Sequence, residues 1–267
     1  MSGTSLLVLD VGNTNTVLGL YRGEVLVDSW RVATNPASTT DETGVLYISL
    51  FAARGIDPGE VGAAIVSCVV PNAVHAISRA CSRYFGVEAQ FVGTDIESGM
   101  TVDYTNPREV GADRIVNAVA AYERFQSACI IVDFGTATTF DVVSAEGVYE
   151  GGIIAPGLGI SLEALFDRAA KLPRVKIQRP DTLIGKTTVT SMQAGIVYGY
   201  VGLVDGICER ILAELNAGGE VPIAVVATGG LAGLIANDSR YIEHVERFLT
   251  LSGLRLIHEG AHGAAQS

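Results

Sequence analysis

Apolar residues run unbroken from Leu6 to Leu9 and stop at a polar turn, Asp10-Val11-Gly12-Asn13-Thr14-Asn15-Thr16, after which apolar and polar positions alternate through Val17, Leu18 and Leu20. A short apolar run closed by small hydroxyl and amide residues predicts a buried strand. The alternation that follows, broken at Tyr21-Arg22-Gly23-Glu24 and resumed over Val25-Leu26-Val27 toward Trp30, predicts antiparallel strands. The same phrase recurs in mid-chain. Ile130-Ile131-Val132 leads into Asp133-Phe134-Gly135-Thr136-Ala137-Thr138-Thr139, then into alternation from Phe140 to Val143, a turn at Ala145-Glu146-Gly147, and Val148-Tyr149.

Later segments repeat as well. Ala63 to Val70 predicts a buried strand followed by a helix, and Ile223 to Ala227 predicts another strand, ending in Thr228-Gly229-Gly230. A strand over Ala89 to Val92 takes Leu254 to Ile257 as its counterpart. Helical spacing covers Glu42 to Arg54, Ala73 to Tyr84, Arg108 to Phe125, Leu162 to Ala170 and Ser191 to Leu215. Duplication of this kind predicts an α/β protein of two actin-like (ribonuclease H-like) lobes, each a mixed β-sheet flanked by helices, with the active site in the cleft between them. The boundary is expected near residue 115: residues 1–115 as the phosphate-loop lobe, residues 116–267 as the nucleotide and cation side.

Composition narrows the class. With 48% hydrophobic and 18% charged residues in 267, the chain has ample material for a packed core and is no disordered tail. A formal charge of −11 opposes attraction to nucleic acid or anionic membrane, so an anionic ligand needs a local, shaped site. The opening Met1-Ser2-Gly3-Thr4-Ser5 lacks a basic region and Asp10 halts the first apolar run, which predicts neither signal peptide nor membrane span and a cytoplasmic protein. Cys68, Cys81, Cys129 and Cys208 are scattered and read as reduced core thiols.

The chemistry concentrates in few places. A carboxylate at a strand end, then Gly and a run of hydroxyls, suits magnesium-nucleotide binding: backbone amides approach phosphate oxygens, hydroxyls donate, and the acid holds the metal through water. One Asp-x-Gly-x-Thr also simply closes a strand with a tight turn; two copies, each behind a buried strand and ahead of a hairpin, favour the nucleotide reading. Thr228-Gly229-Gly230 is a third turn where adenosine could lie against backbone. Gly111-Ala112-Asp113-Arg114 sets a carboxylate beside a guanidinium at a helix start, where Asp can take a proton from a substrate hydroxyl and Arg can bind an anion. The same pair also serves as a dipole-compensating residue with a solvated partner.

Taken together and in order, Asp10-Val11-Gly12-Asn13-Thr14, Gly111-Ala112-Asp113-Arg114, Asp133 to Thr139, Gly151-Gly152 with Pro156-Gly157, and Gly185-Lys186-Thr187-Thr188 resemble the motif series of type III pantothenate kinases over about residues 6–258. The resemblance implies ATP-dependent phosphorylation of the primary hydroxyl of pantothenate to 4′-phosphopantothenate at the start of coenzyme A synthesis, by a homodimer. It implies that Asp10, Val11, Gly12, Asn13, Thr14, Asn15, Thr16 and Val17 form the phosphate loop, with Asp10 near the magnesium that accompanies ATP, and that Thr136 touches the ATP phosphates. Asp113 is then the base. Gly111, Ala112 and Arg114, with Tyr104 and Thr188, hold pantothenate, and Asp133 binds the monovalent cation, K⁺ or NH₄⁺. The family usually shows Asn where this chain has Thr187. A kinase of the same fold with another acceptor, or a noncatalytic regulator or sensor, shares the paired turns.

Two patterns are set aside. His258-Glu259-Gly260-Ala261-His262 spells His-Glu-x-x-His, but it follows the strand expected at Leu254 to Ile257 and contains Gly260, so no helix is expected to bring the rings together. Gly185-Lys186-Thr187 lacks the earlier glycine of a P-loop, Pro180 standing there. His75 and His244 are expected on helices, without a nucleophile beside them.

Overall fold

A computed structural model describes residues 5–216, 219 and 222–263. Residues 1–4, on which part of the leader expectation rests, lie outside the described residues. Among those described, the chain forms two units, one of residues 5–100, 105–120 and 250–263, the other of residues 101–104 and 121–249. The division at Ala120/Ala121 lies five positions past the expected 115/116, inside a helix, and the C-terminal helix returns to the first unit.

In unit 1, β1 (Ser5–Val11), β2 (Asn15–Arg22), β3 (Val25–Ala33), β4 (Val61–Cys68) and β5 (Ala89–Phe91) form one sheet in the order β3-β2-β1-β4-β5. β1 is antiparallel to β2 and parallel to β4, which places the most apolar strand at the centre, where both faces are covered. Leu7, Leu9, Leu18 and Leu20 are sealed from solvent against Phe51 of α1 (Thr40–Ala52) and Ile77 of α2 (Pro71–Ala80). Each such side chain contributes about 1.5–3 kcal/mol of transfer free energy. Trp30 stacks on Phe51 with ring centroids 5.0 Å apart.

Unit 2 repeats the plan. β6 (Thr101–Val102), β7 (Ala128–Phe134), β8 (Ala137–Val143), β9 (Val148–Pro156), β10 (Ile223–Gly229) and β11 (His244–Val245) run in the order β11-β10-β7-β8-β9-β6. Apart from the added β6, this is the first sheet's order with β7 in the place of β1, the topology of the actin-like fold. Alternation sends Ile130, Val132, Phe134, Phe140 and Val142 into a core with Val197, Val204 and Cys208 of the 28-residue α5 (Thr188–Leu215). By the same alternation Asp133, Thr139 and Asp141 take the opposite face of that sheet. α3 (Ala112–Phe125) and α4 (Leu158–Arg168) match the expected helices within a few residues. No helix among the described residues is long and apolar enough to cross a membrane. Cys81, Cys129 and Cys208 are buried, and burial pushes their thiols up to about 12, 11 and 12; Cys68 is half-buried.

Three expectations fail. Leu254 to Ile257 is no strand: it lies inside α7 (Leu249–Gly263), where Leu251, Leu254 and Ile257 are buried at a spacing of three, which is helical. The second sheet's equivalent of β5 is β11, parallel to β10 through Val226↔His244, so His244 stands on a strand and not on a helix. His75 is on α2 as expected. The helix thought absent from the His-Glu-x-x-His segment is therefore present, with the His258 and His262 rings 4.2 Å apart, while Glu259 is paired with Arg255. Among the described residues no three His, Cys, Asp or Glu side chains gather as metal ligands.

Candidate active site

In unit 1 the predicted phosphate loop joins β1 to β2. The Gly12 amide donates to the Asn15 carbonyl at 3.0 Å, closing the turn, with Val11 and Thr16 buried at its base and Asn13 and Thr14 exposed at its tip. Thr34, just past β3, fixes the loop from outside: its hydroxyl donates to the Gly12 carbonyl at 2.7 Å and lies 2.9 Å from the Thr16 hydroxyl, and its amide donates to the Thr14 carbonyl at 3.0 Å. Sequence reading missed Thr34, whose only signal is a hydroxyl at the end of the third strand.

The Val69 amide, at the end of β4, donates to the Val11 carbonyl at 3.1 Å and ties this loop to the segment that meets α3. A Cβ on Gly111 would lie 3.6 Å from the Val69 methyl and 2.6 Å from Asp113 Oδ1, so only Gly leaves the carboxylate its position. Asp113 stands in the first turn of α3 and accepts the Arg114 amide at 2.8 Å. Burial raises its pKa above the ordinary aspartate value; the Arg114 amide and then the Arg114 guanidinium oppose the shift. Arg114 itself is only 9% exposed. Asp10, Gly111, Ala112, Asp113 and Arg114 are thus gathered on the β1, β4 and α3 ends of a single unit.

Unit 2 carries the other predicted residues. Asp133 is the penultimate residue of β7, opposite Thr139 on β8 and Thr228 on β10. Gly229, at φ 92°, lies so close that a Cβ would fall 2.6 Å from Asp133 Oδ1 and 2.6 Å from the Phe134 carbonyl. The Gly135 amide closes the next turn on the Ala137 carbonyl at 3.0 Å and leaves Thr136 exposed at the tip. Gly157, the N-cap of α4, backs that turn: a Cβ there would meet the Thr136 carbonyl oxygen at 2.2 Å. Tyr200 of α5 holds the entry to α4, donating to the Pro156 carbonyl at 2.8 Å and lying 2.6 Å from the Ser161 hydroxyl.

Tyr104 packs its ring against Gly151 of β9, at 3.4 Å from where a Cβ would be, and is 40% exposed. Thr187 is the N-cap of α5, its hydroxyl accepting the Thr190 amide, and the amides of Lys186 and Thr187 both donate to the Thr190 hydroxyl at 3.1 Å. Those amides are occupied within the turn itself. Thr188, the next residue, is exposed beside an open groove of about 820 Å³ whose apolar wall includes Leu165, Leu172, Met192 and Ile196.

A sequence profile described as type III pantothenate kinase matches residues 6–210. The chain belongs to the type III pantothenate kinase family. A Myxococcus xanthus type III pantothenate kinase is 56% identical over 259 residues, 97% of this chain and all of that one. In fold, the chain is similar to a Campylobacter jejuni protein named for the Baf family of transcriptional activators (TM-score 0.59, 17% identity, 96% and 99% of the two chains). It is also similar to a Sinorhizobium meliloti protein named as a 2-dehydro-3-deoxygalactonokinase (TM-score 0.55, 13% identity, 96% of each). Family membership also makes sense of Thr187: Asn and Thr are both strong N-caps, so where the family usually has Asn the chain exchanges one capping residue for another.

Proposed function

We propose that the chain transfers the γ-phosphoryl group of ATP to the primary hydroxyl of pantothenate, giving 4′-phosphopantothenate and ADP in the first step of coenzyme A synthesis, in the cytoplasm. The observation that carries this reading is the pairing, within one unit, of a pinned Asp-x-Gly loop with a partly buried carboxylate whose pKa is raised, inside a chain of this family. Asp113 takes the hydroxyl proton as that oxygen bonds to the γ-phosphorus and the bond to the β-phosphate oxygen breaks. Asp10 to Val17 and Thr136 bind the ATP phosphates, Asp10 holding Mg²⁺ that neutralises charge on them. Asp133 suits a monovalent cation, because oxygen-bearing groups lie beside its carboxylate: the Phe134 carbonyl faces the same point near Gly229, and Thr139 is its cross-strand partner.

Arg114, with Gly111, Ala112, Tyr104 and Thr188, binds pantothenate; since the hydroxyl of Thr187 is spent on capping α5, Thr188 is the residue offering a hydroxyl. The test is ATP-dependent phosphorylation of pantothenate by the purified chain with magnesium, with and without K⁺ or NH₄⁺, beside Arg114→Lys. An ammonium cannot make the paired contacts of a guanidinium, so we expect KM for pantothenate to rise about tenfold or more with a smaller change in kcat. Product formation from another acceptor alone would overturn the pantothenate assignment.

We also propose a homodimer, with a second copy of this chain covering the α4–α5 groove. Near it unit 2 leaves Leu183 66% and Ile184 72% exposed, a poor state for a lone protomer. Sedimentation equilibrium is expected to give twice the 27.9 kDa chain mass, and Leu165→Glu to lower it toward one; a wild-type mass of one chain at micromolar concentration would refute the dimer.

A further inference from the structure

Behind Asp133 lies a buried polar chain that the reaction as described does not use. Tyr149 and Asp141 are both sealed from solvent, and the Tyr149 hydroxyl donates to Asp141 Oδ1 at 2.7 Å. The Thr139 hydroxyl donates to Asp141 Oδ2 at 3.1 Å. Asp141 sits two positions beyond Thr139 on β8, so both side chains take the same face, and Thr139 is the direct cross-strand partner of Asp133 on β7. A fully buried carboxylate in a central strand is costly unless hydrogen-bonded, and well-packed apolar residues would stabilise the sheet as well or better. Its presence calls for a use other than stability.

A hydroxyl has one proton and two lone pairs. Once that proton is committed to Asp141, Thr139 has only lone pairs to offer any group held beside its cross-strand partner Asp133. Resting on the reading of Asp133 as the holder of the monovalent cation, we propose that Thr139 is a second, neutral ligand of that cation, aimed by Asp141 and Tyr149 as positioning residues. A hard monovalent cation takes carboxylate and hydroxyl oxygens, and partners behind the ligands commonly fix their orientation. Gly229, on the other side of Asp133, brings its backbone so close that a Cβ there would displace the Asp133 carboxylate, at 2.6 Å from Oδ1.

The test needs no turnover. The full chain, without ATP or pantothenate, is unfolded by heat in rising KCl at constant ionic strength made up with choline chloride. Binding to the folded state alone raises Tm with K⁺, and the rise yields the half-saturating concentration. We expect Thr139→Val to raise that concentration about tenfold, the loss of one good polar contact, and Thr139→Ser to stay near wild type. Tyr149→Phe should fall between them. KM for ATP in the same variants should change little, which a merely structural role of the chain would not produce. Thr139→Ala serves as a second deletion of the hydroxyl should the valine variant fold poorly. If the hydroxyl-free variants keep the wild-type K⁺ response while Asp133→Asn has lost it, the ligand assignment of Thr139 is wrong and the cation reading of Asp133 stands. If Asp133→Asn also responds like wild type, or wild type does not respond, the cation reading fails and this proposal with it.

Discussion

Asp113→Asn is expected to lower kcat on the order of 10²- to 10⁴-fold, the usual contribution of a positioned base, with KM for pantothenate and thermal stability close to wild type. The exchange keeps volume and leaves an oxygen to accept the Arg114 amide, so the first turn of α3 is preserved while the proton acceptor is lost. The pH profile gives an independent check. Only the carboxylate form accepts a proton, and burial raises the pKa of Asp113, so the acid limb of kcat/KM in the wild type should lie above that of an ordinary aspartate and should vanish in the variant. Turnover undiminished in Asp113→Asn would assign the proton transfer elsewhere.

Gly157→Ala should be nearly as damaging without touching an acid. Its backbone is ordinary, φ −76°, so the glycine is required for space and not for conformation. A methyl there would lie 2.2 Å from the Thr136 carbonyl oxygen and 2.7 Å from that of Gly135, both backbone atoms that cannot rotate away. The turn carrying Thr136 must move by an ångström or more, and a displacement of that size costs about 10²-fold where phosphate positioning matters. The expected signature is a large rise in KM for ATP with an unchanged KM for pantothenate. An unaltered KM for ATP would remove Thr136 from the nucleotide site.

Much of this could be read from the sequence. The turns at Asp10 and Asp133 stand out because each follows an apolar run and precedes alternation, a local pattern that short-range sterics and burial enforce. The likeness of the two sheets followed from the repetition of that pattern. What was illegible depends on contacts distant in sequence: the clamp of Thr34 on the β1–β2 loop, Tyr200 on Pro156, and the approach of Gly157 to Thr136 leave no local trace. β11, two residues long, is too short to show any period. α7 was misread because Leu254-Arg255-Leu256-Ile257 alternates over its first three positions, and only the wider frame with Leu251 shows the helical spacing.

α7 also bears on how the protein is made. The Tyr21 hydroxyl on β2 meets Ser252 at 3.3 Å, and Thr250 donates to Asn117 of α3 at 2.7 Å, so the unit that holds Asp10 and Asp113 is closed by a helix encoded after all of unit 2. During synthesis the first sheet waits, with the surface destined for α7 bare, while some 130 residues of the other unit are translated (121–249). Unit 2, continuous but for β6, is free to mature first. Birth order and completion order are therefore reversed in this chain, and premature termination before Leu249 would spare the Asp133 side and strand the half that carries Asp113.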